Sequence, residues 1–488
     1  MPFKMLSKTK YLAGLQCPKL LWIQVNEPER IPEIDPATQY VFDQGHLVGE
    51  LAKKLYPGGT DIPTGDFMGN IRQAQARITE RKTLFEAGFL SGRIYSRIDI
   101  LNPANEDKWD IIEVKSSTGL KDVHIDDVSF QKNCCEQLGL NIRKCYLAHI
   151  NNRYVKKGDI DLDELFTLYD ISAEVGEATQ GISGRIDTLL EVISSPKCPE
   201  LGIGKHCRDP YPCPLTECWD GLPEHNVFTL YYGGKKSHEL YSSGVVNIVD
   251  IPAGYKLNDK QQIQRSCLNI DEPHVDSEAI RQFLEKLEFP LYYLDFETIG
   301  PGVPLFDGTR PYQNTPFQFS LHVVRNEASK PEHYSFLASG TGDPRPVLLD
   351  ELKEIIGDSG SIIVYNQGFE EGILKDLGRA FPTDDGWVNQ VCGRLVDLLE
   401  PFRSFHYYHP LQKGSASLKK VLPALTGRDY EGMEIADGES ASIAFQAVTY
   451  SDVGEEVRSK VRADLEAYCG QDTEGMIWIL DKLKEVAR

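Results

Sequence analysis

The stretch YYLDFETIG, residues 292–300, decides how the C-terminal half of the chain is read. Its apolar and aromatic residues suit a strand. Along a strand side chains alternate faces, so Asp295 and Glu297 project to the same side. Two carboxylates at that spacing are half of a cage for a hard divalent ion, Mg²⁺ or Mn²⁺. PLYYLDFETI (290–299), FQFSLHVVR (317–325) and HYSFLAS (333–339) read as three successive strands with short connections. RPVLLDELKEIIG (345–357) reads as a helix, SIIVYNQ (361–367) as a further strand, and 455–488 as a long closing helix. On that helix Tyr468 and Asp472, in YCGQD (468–472), are i,i+4 neighbours and share a face. Asp472 is then a metal ligand, and Tyr468 orients or deprotonates an attacking water. YNQGFEE (365–371) adds Asn366 and the metal-ligand candidate Glu370, and RLVDLLEPF (394–402) holds a further acid, Asp397.

A second acidic set lies upstream in RIDILNPANEDKWDIIEVKSS (97–117). Asp99 and Glu113 fall on two strand-like runs that a hairpin places side by side. Glu113 and Lys115 are two apart and share a face. Carboxylates there hold metal, and the lysine stabilises phosphate charge or positions water. His46 and Glu50 are i,i+4 on a helix over FDQGHLVGELAKKLYP (42–57), and His46 is a further candidate metal ligand. Gln131 begins the helix SFQKNCCEQLG (129–139), where it can orient the lysine or the substrate. Downstream, YLAHI (146–150) and RYV (153–155) suggest a hairpin, and 161–194 a long helix broken near Gly181.

The chain has 488 residues, which implies two to three domains. The expected organisation is an α/β unit over 1–220, a helical connector over 221–288 and a second α/β unit over 289–488. Net charge is −21, of which residues 1–220 carry −6 and the remainder −15. Neither half is basic, so nucleic-acid contact has to use local Lys/Arg patches. No run of 18 apolar residues suggests a membrane span, and the N-terminus lacks the apolar centre of a signal peptide. The expected compartment is the cytoplasm. Among 11 cysteines, Cys207, Cys213 and Cys218 cluster in the proline-rich, polar HCRDPYPCPLTECW (206–219), which favours metal ligation over disulfides. Cys134, Cys135, Cys145, Cys267, Cys392 and Cys469 read as ordinary buried thiols. In SFHYYHP (404–410), His406 and His409 suggest an aromatic loop where bases stack on Tyr407 or Tyr408, or else simple core packing.

The C-terminal set, Asp295-Phe296-Glu297, Asn366 with Phe369-Glu370, and Tyr468 to Asp472, resembles the DnaQ-like (DEDDy) 3′–5′ exonucleases of RNase H-like fold. Glu370 stands where those proteins usually carry aspartate. The N-terminal set, His46, Asp99, Glu113-Val114-Lys115 and Gln131, resembles RecB-like nucleases of the PD-(D/E)XK superfamily, with its restriction-endonuclease-like fold. The resemblance is strongest to the CRISPR-associated branch that carries an iron–sulfur cluster. It implies that the early Cys17 joins Cys207, Cys213 and Cys218 around a [4Fe–4S] cluster stapling the ends of the domain. Four thiolates also suit a structural Zn²⁺, and Cys198 is a substitute ligand.

Together these resemblances imply a bacterial two-domain, metal-dependent nuclease for repair, processing or defence. The catalytic groups are Lys115, Gln131, Tyr468 and Glu297. The metal ligands are His46, Asp99, Glu113, Asp295, Glu297, Glu370 and Asp472. The expected partner is nucleic acid, DNA ahead of RNA. The alternative is a nucleic-acid-binding scaffold whose N-terminal nuclease fold is inactive and guides substrate to the exonuclease.

Overall fold

Along Ile94–Pro103 the side chains of Ile94, Ser96, Ile98 and Ile100 are buried, while Tyr95, Arg97 and Asp99 are half-exposed. This period of two gives a strand in the computed structural model, which describes residues 4–488. It also turns Asp99 away from the isoleucine face. The chain divides into two units, Met1–Gly221 with Pro301–Tyr312, and Leu222–Gly300 with Gln313–Arg488. Each is mixed α/β.

The first unit holds a seven-stranded sheet: β1 (Leu6–Ser7), β2 (Thr60–Asp61), β3 (Leu84–Ser91), β4 (Ile94–Pro103), β5 (Lys108–Lys115), β6 (Asn141–Ile150) and β7 (Phe166–Asp170). The order is β2-β3-β4-β5-β6-β7, with β1 parallel to the start of β4. β4 and β5 are antiparallel, with Ile100 opposite Ile112, so Asp99 and Glu113 lie side by side. β5 and β6 are parallel, which requires a crossover; the helix Asp122–Gln137 provides it. That helix starts seven residues before Ser129, so Gln131 lies inside it and not at its beginning.

Two expected elements differ. RYV (153–155) is not a strand; β6 pairs instead with β7, which lies in the stretch expected to be helical. Leu165 and Phe166 are buried, whereas Leu168 and Tyr169 are exposed. β7 is thus an edge strand whose apolar alternation is faint, and its pairing with β6 decides its conformation. The break at Gly181 is present, with φ 73° between the helices Ser172–Ala178 and Ile182–Ser194.

In the second unit, residues 222–288 have their own small core of Val227, Leu230, Leu240, Ile248, Ile251 and Leu257. β8 (His274–Val275) pairs with β14 (Tyr407–Tyr408). The main sheet comprises β9 (Leu291–Ile299), β10 (Thr315–Val324), β11 (Glu332–Leu337), β12 (Ile362–Val364) and β13 (Leu395–Asp397), in the order β11-β10-β9-β12-β13. β9 is interior, antiparallel to β10 with Asp295 opposite Ser320, and parallel to β12. The connection from β9 to β10 is not short. Its residues Pro301–Tyr312 belong to the first unit, where the Lys156 amide donates to the Thr309 carbonyl at 3.0 Å and the Tyr312 hydroxyl donates to the Ser116 carbonyl.

The closing helix Glu455–Val486 buries Leu465, Tyr468, Cys469, Asp472, Thr473, Met476, Ile479, Leu480 and Leu483. Their three- and four-residue spacing is one face of a helix. Two polar residues, Tyr468 and Asp472, therefore sit inside an apolar stripe packed against β9 and β10. Burying them costs several kcal/mol in an apolar setting without partners, so such a placement calls for partners or a ligand. Among the described residues no helix is long and apolar enough to cross a membrane.

Candidate functional site

In the second unit, β9 brings Asp295 and Glu297 to the closing helix. Ligand atoms of Asp295, Glu297 and Cys469 lie within 4.8 Å of one another, the one such metal-ligand group among the described residues. The Cys469 Sγ is 3.7 Å from Asp295 Oδ2. Cys469 thus adjoins the carboxylates and is not an ordinary packing thiol. Asp472 is not within that group of three. Its Oδ1 accepts a 2.5 Å hydrogen bond from Tyr430, and Tyr468 also hydrogen bonds to it. Glu370 is 1% exposed, and its Oε2 has no hydrogen-bond partner.

Electrostatics set this group apart. Burial and the Asp472 charge push Asp295 far above the usual carboxylate range. Burial, Asp295 and Asp472 do the same to Glu297, and burial and Asp295 to Glu370. Asp472 is raised to about 6 by burial, against the hydrogen bonds of Tyr430 and Tyr468 and the charge of Lys419. Burial first, then Asp472, raises both Tyr430 and Tyr468. The nearby cation is Lys419, whose Nζ stands 5.0 Å from the Tyr468 ring centroid and 5.8 Å from that of Tyr430. One ammonium faces four carboxyl groups, three of them buried, whose ionised forms burial disfavours and a divalent cation is suited to stabilise.

Asn366 has φ 86°, a left-handed conformation that asparagine tolerates, and starts the helix Gln367–Ala380. Its amide donates to Asp397 Oδ1 at 3.0 Å, and Asp397 also pairs with Arg403 at 2.9 Å. Asp397 therefore fixes the turn that carries Glu370's helix. Tyr407 and Tyr408 are 5% and 1% exposed and pack on Phe402 and Phe405, so core packing accounts for them and the base-stacking expectation falls.

The pH dependence of stability follows from this charge. An unfolded aspartate titrates near 4, and Asp472 in the fold at about 6. Between those values the folded state holds more protons. Stability from that difference is fully present below pH 4 and is lost as pH rises through 6. Chelated protein is therefore expected to melt lower at pH 7.5 than at pH 5.5. Asp295→Asn replaces a carboxyl whose ionisation burial and the Asp472 charge disfavour, and should raise the pH 7.5 melting temperature of chelated protein by about 2–4 °C, the equivalent of about 1 kcal/mol. Thermal melts of both proteins at the two pH values test this, and a lower melting temperature for the variant at pH 7.5 rejects it.

In the first unit, the structure brings Asp99, Glu113, Lys115 and Gln131 together. The Val114 amide donates to Asp99 Oδ2 at 2.9 Å. Lys115 Nζ lies 2.6 Å from Glu113 Oε1 and 2.8 Å from Asp127 Oδ2. Gln131 Nε2 donates to Glu113 Oε2 at 2.6 Å and to Asp127 Oδ1 at 2.9 Å. Lys8 Nζ completes the set, 2.9 Å from Glu113, 3.6 Å from Asp99 and 4.0 Å from Asp127. Burial and Asp99 push Glu113 up, but Lys115 and Lys8 outweigh them and leave it below its ordinary value. Lys8 and Lys115 are held above theirs by the carboxylates, despite burial. Here cations already offset the acids. His46 is exposed on the helix Pro36–Lys53, and no hydrogen bond or ion pair joins it to Asp99 or Glu113.

Cys17, Cys213 and Cys218 pack in one cluster with Leu20, Trp22 and Leu215. Burial first, then the charges of Cys207 and Cys218, raise the Cys17 thiol; burial, then the charges of Cys17, Cys207 and Cys218, raise that of Cys213. The four therefore share one locality. The Leu20 amide donates to Cys17 Sγ at 3.4 Å from the first turn of the helix Pro18–Asn26, and Lys19 Nζ donates to Cys218 Sγ at 3.3 Å. Donors of this kind stabilise thiolate ligands. Cys198 packs nearby, but the charges that act on it are those of Arg30, Lys19, Glu27 and Glu217.

Sequence reasoning missed Lys8, Asp127, Lys419, Tyr430 and the role of Cys469. Asp127 had a signal, its i,i+4 spacing to Gln131. Cys469 had one too, its place beside Tyr468. Lys8, Lys419 and Tyr430 reach their sites through tertiary packing alone.

Residues 292–417 match a domain family described as a domain of unknown function (DUF2779). The chain is similar to the uncharacterized protein MG366 homolog of Mycoplasma pneumoniae, 24% identical over 40% of this chain and 32% of that protein. It is also similar to the uncharacterized protein MG366 of Mycoplasma genitalium, 23% identical over 40% of this chain and 32% of that protein. The uncharacterized protein UU173 of Ureaplasma parvum is 23% identical over 43% of this chain and 34% of its own length. The match thus covers only a third of these relatives.

Proposed function

We propose that this protein is a metal-dependent nuclease with a 3′–5′ exonuclease site in the second unit and a RecB-like site in the first. The observation that carries this is the close approach of Asp295 and Glu297, with Asp472 and Glu370 near enough to interact with them electrostatically and Tyr468 on the facing helix. The strand order β11-β10-β9-β12-β13, three antiparallel strands followed by two parallel ones, supports an RNase H-like fold. The β4-β5 hairpin with a helical crossover to β6 supports a PD-(D/E)XK core.

The donor set is chemically apt for Mg²⁺ or Mn²⁺: carboxylate oxygens, buried and under-compensated. Such ions supply charge neutralisation and water activation for phosphodiester hydrolysis. Asp295 and Glu297 bind, Asp472 completes the charge, and the unpaired oxygen of Glu370 is free to accept. Tyr468 holds its hydroxyl proton at neutral pH, so its part is to orient water and substrate by hydrogen bonding. Incubation with Mg²⁺ or Mn²⁺ and end-labelled single- and double-stranded DNA and RNA tests the proposal. Product ladders shortening from the 3′ end are expected. Intact substrate under all conditions rejects it.

The four thiols of the first unit suit an iron–sulfur cluster. Four thiolates also suit a structural Zn²⁺. Protein purified without oxygen should be brown, contain iron and acid-labile sulfide, and lose both in Cys213→Ser. Zinc without iron would keep the ligands and reject the cluster.

A second reading is favoured by one observation. Lys8 occupies the carboxylates of the first unit, which weakens their demand for a metal. The first unit would then bind nucleic acid and deliver it to the exonuclease.

A further inference from the structure

We propose that Cys469 is a metal ligand, and that the second unit's site therefore takes one borderline-soft divalent ion, of the Co²⁺ or Zn²⁺ class, through two carboxylates and a thiolate. The proposal deepens the exonuclease reading by naming the metal class of that same site.

Geometry carries it. Cys469 is fully buried on the face of the closing helix that meets β9. Its Sγ lies 3.7 Å from Asp295 Oδ2, and Glu297 completes a trio within 4.8 Å. Zn–S and Zn–O bonds of about 2.3 and 2.1 Å, opened to a tetrahedral angle, put sulfur and oxygen about 3.6 Å apart. The observed separation already matches that edge. An ordinary S–H···O contact at 3.7 Å is weak by comparison and would not call for two further buried acids. The independent sign of a ligand is Glu370. It is 1% exposed, its Oε2 has no hydrogen-bond partner, and the charge acting most on it is that of Asp295. An unpaired buried carboxylate oxygen that feels the Asp295 charge is the kind of group a bound cation would satisfy.

The chemistry discriminates among ions. Mg²⁺ prefers oxygen ligands in near-ideal octahedral geometry and gains little from sulfur. Borderline ions accept mixed oxygen and sulfur donors. On binding, the ion displaces the thiol proton to solvent, and a metal–sulfur bond replaces the S–H bond, with no change of oxidation state.

The test is titration of the full chain with Co²⁺, read by the near-ultraviolet thiolate-to-cobalt absorption. Wild type minus Cys469→Ser removes whatever Cys17, Cys207, Cys213 and Cys218 contribute. One equivalent of Cys469-dependent absorption is expected, displaced by Zn²⁺ and untouched by excess Mg²⁺. Loss of an outer-shell partner alone typically costs 10- to 100-fold in metal affinity. Cys469→Ser should therefore weaken Zn²⁺ binding at this site at least tenfold. Superimposable wild-type and variant spectra overturn the proposal. Should Cys469→Ser not fold, Asp295→Asn takes its place: the same band must be lost, and its survival in full overturns the proposal equally. Absorption without any nuclease activity would sink the exonuclease reading alone. Mg²⁺-dependent nuclease activity without the absorption would sink the thiolate ligand alone.

Discussion

Asp295→Asn is expected to end stepwise removal of nucleotides from 3′ ends while the protein stays folded. Asp295 lies at the centre of the site: it adjoins Cys469, acts electrostatically on Glu297 and Glu370, and is itself pushed up by Asp472. Asparagine keeps the shape and removes the charge that a shared metal needs. Loss of one transition-state contact of this kind costs about 10²- to 10³-fold in rate, and loss of a metal ligand should cost at least that. The metal-free fold should gain stability from the same change, because Asp295 and the three buried carboxyls around it disfavour one another's ionisation. An inactive variant that melts higher than wild type separates chemistry from unfolding. Tyr468→Phe should be milder, since Tyr430 still donates to Asp472. Product ladders of near wild-type rate from Asp295→Asn would leave the carboxylate group without a catalytic part.

Local periodicity explains which parts of this site were legible. Asp295 and Glu297 could be paired from sequence because strand alternation is independent of what the strand packs on. Tyr468 and Asp472 could be paired because four residues is one helical turn. The same rules place Asp99 against Glu113 once a hairpin is assumed, and β4 with β5 supplies it. Partners that come from distant chain were illegible. Lys8 reaches Glu113 across 105 residues, and Tyr430 reaches Asp472 across 42. No spacing rule covers either. β7 was misread for a related reason. Leu162 to Asp170 is rich in acids and good helix formers, and only pairing with β6 turns Phe166–Asp170 into strand. The connection holding Pro301–Tyr312 is expected from sequence to be short, because nothing in its own composition says that it belongs with the first unit. Cys469 was passed over because a buried cysteine in an apolar stripe is usually just packing. The carboxylates that alter its meaning stand on another element.

Lys115→Ala is expected to remove any second cutting activity, by about 10²-fold or more, and to leave 3′-end trimming at wild-type rate. Lys115 bridges Glu113 and Asp127, two carboxylates that are 1% and 2% exposed in side chain. Its loss takes away the cation best placed to meet phosphate. The fold should survive, because Lys8 still stands 2.9 Å from Glu113 and Gln131 still donates to both acids. Some loss of stability is expected, since thinning a buried ion network is destabilising, and the melting temperature must be recorded beside the rates. Lys8→Met carries the opposite expectation. Removing that cation frees Asp99 and Glu113, so the first unit should bind Mn²⁺ more tightly, which isothermal titration can measure against wild type. If Lys8 is a mobile occupant of the metal's place, tighter metal binding should come with retained or greater cutting by the first unit. If Lys8 is a permanent substitute for metal, neither Lys8→Met nor Lys115→Ala will alter cleavage of any substrate, while Asp295→Asn abolishes all of it. That pattern would make the first unit a binding surface that feeds the exonuclease. Lys115→Ala should then weaken nucleic-acid binding and make it less salt-dependent, because one lysine–phosphate contact has gone.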